Sequence, residues 1–204
     1  MSRCLRSWFA VLLLAVLAAC SRGPQLPPLA EDAVILAFGD SLTYGTGAPR
    51  EHSYPAVLEA LTGRRVINAG VPGEVTAGGL ERLADALDEH APQLLILCLG
   101  GNDMLRKVDE RSIVTNLEQM VAMSRARGVP VLLLGVPRPA IIGLESASFY
   151  EEIAARGQLP LEADVIPEVL SDRSLKSDTI HPNAAGYRRI AAAVHDRLKR
   201  AGAL

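Results

Sequence analysis

The chain has 204 residues, a formal net charge of −2 and 49% hydrophobic content, which suits one globular domain with a sizeable core behind a leader. Lysine and arginine gather only at the extreme N-terminus and in the last expected helix, which argues against a nucleic-acid partner on electrostatic grounds. The three cysteines, Cys4, Cys20 and Cys98, supply neither a disulfide framework nor a zinc-binding spacing.

Arg3 and Arg6 precede an uninterrupted apolar stretch over residues 8–19. That length fits the core of an export signal and is short for a bilayer span. The stretch ends Leu17-Ala18-Ala19-Cys20. A cysteine directly after two small residues resembles the bacterial lipobox, which implies a lipid on Cys20 as the new N-terminus. The alternative is an ordinary cleaved signal with an incidental cysteine. Ser21 follows; where aspartate at that position retains lipoproteins in the inner membrane, serine favours the outer one. Residues 1–19 are therefore expected to be a signal peptide, and residues 20–32 a lipidated cysteine and tether carrying Gly23, Pro24, Pro27 and Pro28. Residues 33–204 are the expected domain, in the bacterial envelope and facing the periplasm.

The domain opens with Val34-Ile35-Leu36-Ala37-Phe38, an apolar run that predicts a strand buried on both faces. It leads into Gly39-Asp40-Ser41-Leu42. The Gly-rich loop that follows has neither a lysine nor a clean helix start, so it is not a nucleotide site. A helix is predicted over 54–62, with Gly63 as C-cap, and a strand over 64–69. Gly70-Val71-Pro72-Gly73 reads as a turn. Leu80, Leu83, Ala84 and Leu87 recur at helical spacing within 76–90. A third strand over 93–99 holds Cys98 as a buried small hydrophobe and runs into Gly100-Gly101-Asn102-Asp103. The next helix is capped by Ser112 and ends at Gly128. A fourth strand spans 129–135, a helix 145–156, and a short fifth strand lies near 163–166. A last helix over 183–200 buries Tyr187, Ile190, Ala191, Val194 and Leu198. This alternation predicts a three-layer α/β/α sandwich around a flavodoxin-like parallel sheet of about five strands, in the order 2-1-3-4-5.

In such a sheet all strand C-termini share one edge. Ser41 follows strand one, Gly73 strand two and Asn102 strand three, while Asp178 and His181 precede the last helix. A serine hydroxyl attacks a carbonyl only when a base takes its proton. His181 is the candidate base, and Asp178, three residues earlier, the candidate orienter. The backbone N–H groups of Ser41 and Gly73 and the side-chain amide of Asn102 are candidate oxyanion donors. Each residue also has a plainer reading. Ser41 could cap a helix, Asn102 could bond its own turn, and Gly73 could serve only its backbone angles. Asp40 and Asp103 read as structural acceptors of nearby N–H groups. Tyr44 and Met104 are candidate lining of an acyl pocket. Thr43 stands where a Gly-x-Ser-x-Gly nucleophile elbow needs its second glycine, which argues against the α/β-hydrolase fold.

The four blocks, in this order, resemble the SGNH hydrolases, the GDSL family of esterases and lipases. The resemblance runs from Val34 to the C-terminus. It is strongest to small bacterial thioesterases, lysophospholipases and arylesterases. It implies hydrolysis of esters or thioesters through an acyl-enzyme on Ser41, with no metal or cofactor and no obligate protein partner. Two other readings stay open. One is a carbohydrate O-acetyl esterase of the envelope; the other is a non-catalytic envelope-binding lipoprotein on the same fold.

Overall fold

The structure, a computed structural model, describes residues 23–138 and 144–204. The expected signal peptide, Cys20 and Ser21 lie outside the described residues. Inside the sheet, second from one edge, is β1 (Val34–Gly39), five of whose six residues are buried. It is flanked by β2 (Arg65–Gly70) and β3 (Leu94–Cys98); β4 (Val131–Leu134) and β5 (Leu161–Glu162) extend the sheet. The order is β2-β1-β3-β4-β5, and every pairing is parallel. Every residue of β3 and β4 is buried, as a sheet covered on both faces requires. Burial pushes the Cys98 thiol well above its ordinary value, so it behaves as an apolar core group.

Eight helices are described. They are α1 (Ser41–Tyr44), α2 (Tyr54–Thr62), α3 (Thr76–His90), α4 (Gly101–Leu105), α5 (Glu110–Ala126), α6 (Phe149–Gly157), α7 (Val165–Ser171) and α8 (Ala184–Arg200). α2 and α7 pack on α8; α3 and α6 pack on α5. These two groups form the outer layers. The predicted stripe of α8 is buried at all five positions, and Asn183 caps this helix by accepting from the N–H groups of Ala185 and Gly186.

Four local expectations change. The cap of α5 is Asp109, whose carboxylate accepts the Ser112 N–H at 3.2 Å; Ser112 lies inside the first turn. Residues 145–148 are not helical, because Ser146 pairs antiparallel with Pro137 and its hydroxyl donates to the Ala163 carbonyl at 2.6 Å. The fifth strand is only Leu161–Glu162, and Val165 and Ile166 belong to α7. Their apolar run looks strand-like, but the buried set continues at Val169 and Leu170, which is a helical period.

The fourth change concerns the tether. Leu26 and Leu29 are buried, and their N–H groups donate to the carbonyls of Ala201 and Ala203. The Arg64 guanidinium donates to the carbonyls of Leu29 and Ala30. The segment expected as free tether up to residue 32 is thus strapped down from Leu26 onward. Truncating Leu29 to alanine is expected to cost about 2–3 kcal/mol, as buried leucines do. A lowered urea midpoint with an unchanged slope checks it.

Candidate active site

The site forms at the C-terminal edge of the sheet. β1 ends at Gly39, where the chain passes so close to its neighbours that a Cβ would sit 2.3 Å from Thr43 Oγ1 and 2.4 Å from the Cys98 carbonyl oxygen. Asp40 follows and caps α1, its carboxylate accepting the Leu42 N–H at 2.9 Å. Ser41 is therefore the first residue of a short helix, directly beyond the C-terminal end of β1. Tyr187, from the buried stripe of α8, donates its hydroxyl hydrogen to the Thr46 carbonyl at 2.8 Å and lies 3.4 Å from the Ser41 carbonyl oxygen. The last helix thus fixes the loop that carries Ser41.

The loop before α8 brings His181 to that serine. His181 Nε2 lies 3.0 Å from Ser41 Oγ, and His181 Nδ1 lies 2.8 Å from Asp178 Oδ2. Asp178 Oδ1 also accepts the N–H groups of Ile180 and His181, at 2.8 and 2.9 Å. Burial works against the Asp178 charge, but these hydrogen bonds outweigh it and hold the carboxyl below the usual carboxylate range. An ionised carboxylate only accepts, so Nδ1 carries the hydrogen and Nε2 is left to accept from Ser41. The expected Ser41, His181 and Asp178 are thus joined in one hydrogen-bonded chain.

Asn102 lies at the start of α4, and its side chain lines the same cavity as Ser41 and His181. Its amide nitrogen donates to Asp40 Oδ2 at 3.1 Å and to the Glu74 carbonyl at 2.9 Å. Both amide hydrogens therefore have acceptors, and donation to a substrate oxygen requires one to turn away. Gly73 has φ 78°, a left-handed conformation that favours glycine. Its carbonyl accepts from Arg106 at 2.8 Å. Among the described residues its N–H has no internal acceptor, and neither does that of Ser41.

The structure also assigns work to residues that sequence pattern alone passes over. Arg82 of α3 donates to Glu74 at 2.6 and 2.5 Å, to the Ala69 carbonyl at 2.9 Å and to the Gly39 carbonyl at 3.3 Å. Its guanidinium carbon also sits 3.8 Å from the centre of the Phe38 ring. One side chain thereby joins the ends of β1 and β2 to the turn whose carbonyl meets Asn102. Asp103 accepts from the N–H and hydroxyl of Thr76, at 2.7–3.1 Å, which locks α4 to the start of α3. Its structural reading holds, as does that of Asp40.

The cavity over Ser41 has a volume of about 480 Å³. Its apolar wall is Leu42, Leu105, Val136, Leu144, Leu170 and Ile180. Tyr44 and Met104, expected there, do not line it; Tyr44 is exposed. Leu42, which is buried, and Leu105, which is exposed at the rim, line it in their place. Among the described residues no group of three or more His, Cys, Asp or Glu is arranged to hold a metal ion.

Residues 37–189 match the GDSL-like lipase/acylhydrolase family. The chain belongs to that family. It is a hydrolase that acts on ester bonds. Esterase TesA of Pseudomonas aeruginosa is 33% identical over 175 residues, covering 81% of this chain and 87% of the relative. Thioesterase 1/protease 1/lysophospholipase L1 of Escherichia coli is 30% identical over 156 residues, covering 73% and 75%. The solved structure of the psychrotrophic esterase EstA from Pseudoalteromonas sp., inhibited by monoethylphosphonate, is similar with a TM-score of 0.75 and 25% identity. That match covers 83% of this chain and 98% of the other.

Burial pushes the Asp40 carboxyl up to about 7, with Leu42 N–H and His181 pulling it back and Glu74 and Asp103 adding to it. An unfolded Asp40 releases its proton near 3.8. Between those values the folded enzyme holds a proton that the unfolded chain has lost, so this group's contribution to stability falls as pH rises through the window. Asp40→Asn has no proton to lose. Thermal unfolding at about pH 5 and about pH 8 is expected to show a smaller drop in Tm for Asp40→Asn than for the wild type.

Proposed function

We propose that the enzyme is a serine esterase that works through an acyl-enzyme on Ser41. The observation that carries this reading is the chain from Asp178 through His181 to Ser41, with spacings of 2.8 and 3.0 Å. His181 Nε2 takes the Ser41 proton as Oγ attacks the ester carbonyl carbon. The C–O π pair moves onto oxygen, giving a tetrahedral oxyanion. The N–H groups of Ser41 and Gly73 and the amide of Asn102 are its donors in this reading. His181 then passes its proton to the leaving alcohol as the bond to that oxygen breaks. Water then attacks the acyl carbon as His181 takes its proton, and His181 returns that proton to Ser41 Oγ as the Oγ–acyl bond breaks and the acid leaves. Asp178 holds the imidazole in the tautomer that both halves need.

The apolar wall favours carboxylic esters with an extended acyl group over acetyl esters on polysaccharide. The relatives named an esterase and a thioesterase/lysophospholipase extend the reading to thioesters and lysophospholipids. Such leaving groups need nothing that the proposed residues do not supply.

For the N-terminal segment we propose export and lipidation at Cys20. Among the described residues no helix is long and apolar enough to cross a membrane, so a lipid would be the attachment. Leu26 is already docked on the domain, which leaves residues 21–25 as the span. α8 begins beside His181 and ends beside the docked Leu26, and its 17 residues cover about 25 Å at the helical rise. Leu26 therefore docks at the end of α8 away from the site.

Ser41→Ala is expected to lower kcat on p-nitrophenyl esters by about a thousandfold or more with folding intact, and to abolish labelling by a fluorophosphonate. Across acetyl to dodecanoyl esters the wild-type rate should peak at medium or long chains. Rates confined to acetyl esters would favour the polysaccharide deacetylase. A variant that keeps more than a few per cent of turnover would defeat the nucleophile assignment. Cys20→Ser is expected to move the enzyme from the membrane to the soluble fraction while its rate on soluble esters stays unchanged. Retention in the membrane fraction would count against the lipid.

A further inference from the structure

The cavity over Ser41 has an apolar wall, yet two cations also line it, Arg138 and Lys176. They differ in what they already hold. Arg138 is paired with Glu110. Lys176 is half-buried, and among the described residues no carboxylate oxygen lies within 4 Å of its ammonium. All 23 aspartates and glutamates of the chain are among those residues. Among the described residues the ammonium's one hydrogen bond is a long one of 3.5 Å to the Thr179 carbonyl.

The carboxylates that share the neighbourhood are committed. Asp178 holds His181 and two N–H groups. Asp40 is buried behind Ser41 and accepts from Leu42 and Asn102. The backbone of Lys176 is fixed as well. It bridges Pro182 and accepts from the Asn183 side chain at 3.2 Å, so its position relative to His181 is set. A lysine that lines the cavity with no carboxylate of the described residues within 4 Å leaves its ammonium free to meet a negative charge brought by a ligand.

We propose that Lys176 is a specificity-determining residue that takes the anionic group of an amphiphilic ester, a carboxylate or phosphate carried by the same molecule whose ester carbonyl meets Ser41. This rests on the reading of Ser41 as the nucleophile. The apolar wall of Leu105, Val136, Leu144 and Leu170 receives the hydrocarbon part. The charge is recognised on the side of the cavity formed by the loop that also presents His181. No covalent step is added; the lysine acts by binding, in the ground state and the transition state alike.

The anion can sit on the acyl side or the alcohol side, and two pairs of substrates separate these. p-Nitrophenyl hydrogen adipate against p-nitrophenyl hexanoate tests an acyl-borne carboxylate. Oleoyl lysophosphatidic acid against mono-oleoylglycerol tests an alcohol-borne phosphate. The wild type is expected to prefer the anionic member of one pair, and that pair names the source. Lys176→Met should lower that anionic-to-neutral ratio of kcat/KM about tenfold, the size expected for one charge-assisted contact, with the change in KM rather than kcat. Lys176→Arg should restore it, and about 0.5 M salt should compress the wild-type ratio. An unchanged ratio in Lys176→Met, or a loss shared equally by both members of the pair, would overturn the assignment and leave Lys176 as a loop support. Failure of the underlying reading shows separately, as neutral-ester turnover that survives in Ser41→Ala.

Discussion

The Asp40 carboxylate is the constraint around which the site is built. It is 2% exposed, and a charge so placed persists only where hydrogen bonds replace water. Two donors do so, Leu42 N–H and the Asn102 amide. The first sets where α1 starts and so where the Ser41 hydroxyl stands. The second pulls the loop after β3 toward the loop after β1. One buried group thereby couples the proposed nucleophile to one of the proposed oxyanion donors, and neither loop can shift without leaving it unsatisfied. Its raised pKa has the same cause.

A second set of ties brings in β2. Arg82 reaches the carbonyls at the ends of β1 and β2 and holds Glu74, whose own carbonyl accepts from Asn102. Asp103 and Thr76 close the ring from the other side. The three strand ends are thus linked through side chains before any substrate arrives. Electrostatic stabilisation of a developing oxyanion depends on donors already in place, because reorienting them at the moment of reaction consumes the stabilisation they give. Asn102 is the exception. Its hydrogens are engaged in the resting arrangement, and its contribution depends on how readily one leaves Asp40 or Glu74.

What sequence made legible follows from chain geometry. Buried strands announce themselves as apolar runs, and in an all-parallel sheet the residues just beyond them must share an edge. That Ser41, Gly73 and Asn102 follow strand ends at one edge was readable on those grounds, as was the strand order. The pocket wall was not. Leu105, Val136, Leu144 and Leu170 come from four separate segments, and nothing local distinguishes a leucine turned into a cavity from one turned into the core. Tyr44 and Met104, adjacent to the motifs, were the natural candidates and do not line the cavity. The two-residue β5 fell below any periodicity. Val165 and Ile166 imitated a strand because β-branched residues at consecutive positions fit both a strand and the buried edge of a helix. Arg82 carries no signal in the sequence, because its role depends on carbonyls from two other elements.

The docked N-terminal segment joins the two ends of the molecule in one argument. α8 carries Tyr187 near its start, where it holds the Ser41 loop, and reaches Ala201 and Ala203 at its far end, where Leu26 and Leu29 attach. A free tether would let the domain tumble over a membrane and present its cavity in any direction. A strap that begins at Leu26 shortens that tether to residues 21–25. Under the lipid-anchor reading, this short span joins the lipid to the end of α8 away from the site, so the helix that holds the Ser41 loop also separates that loop from the point of attachment.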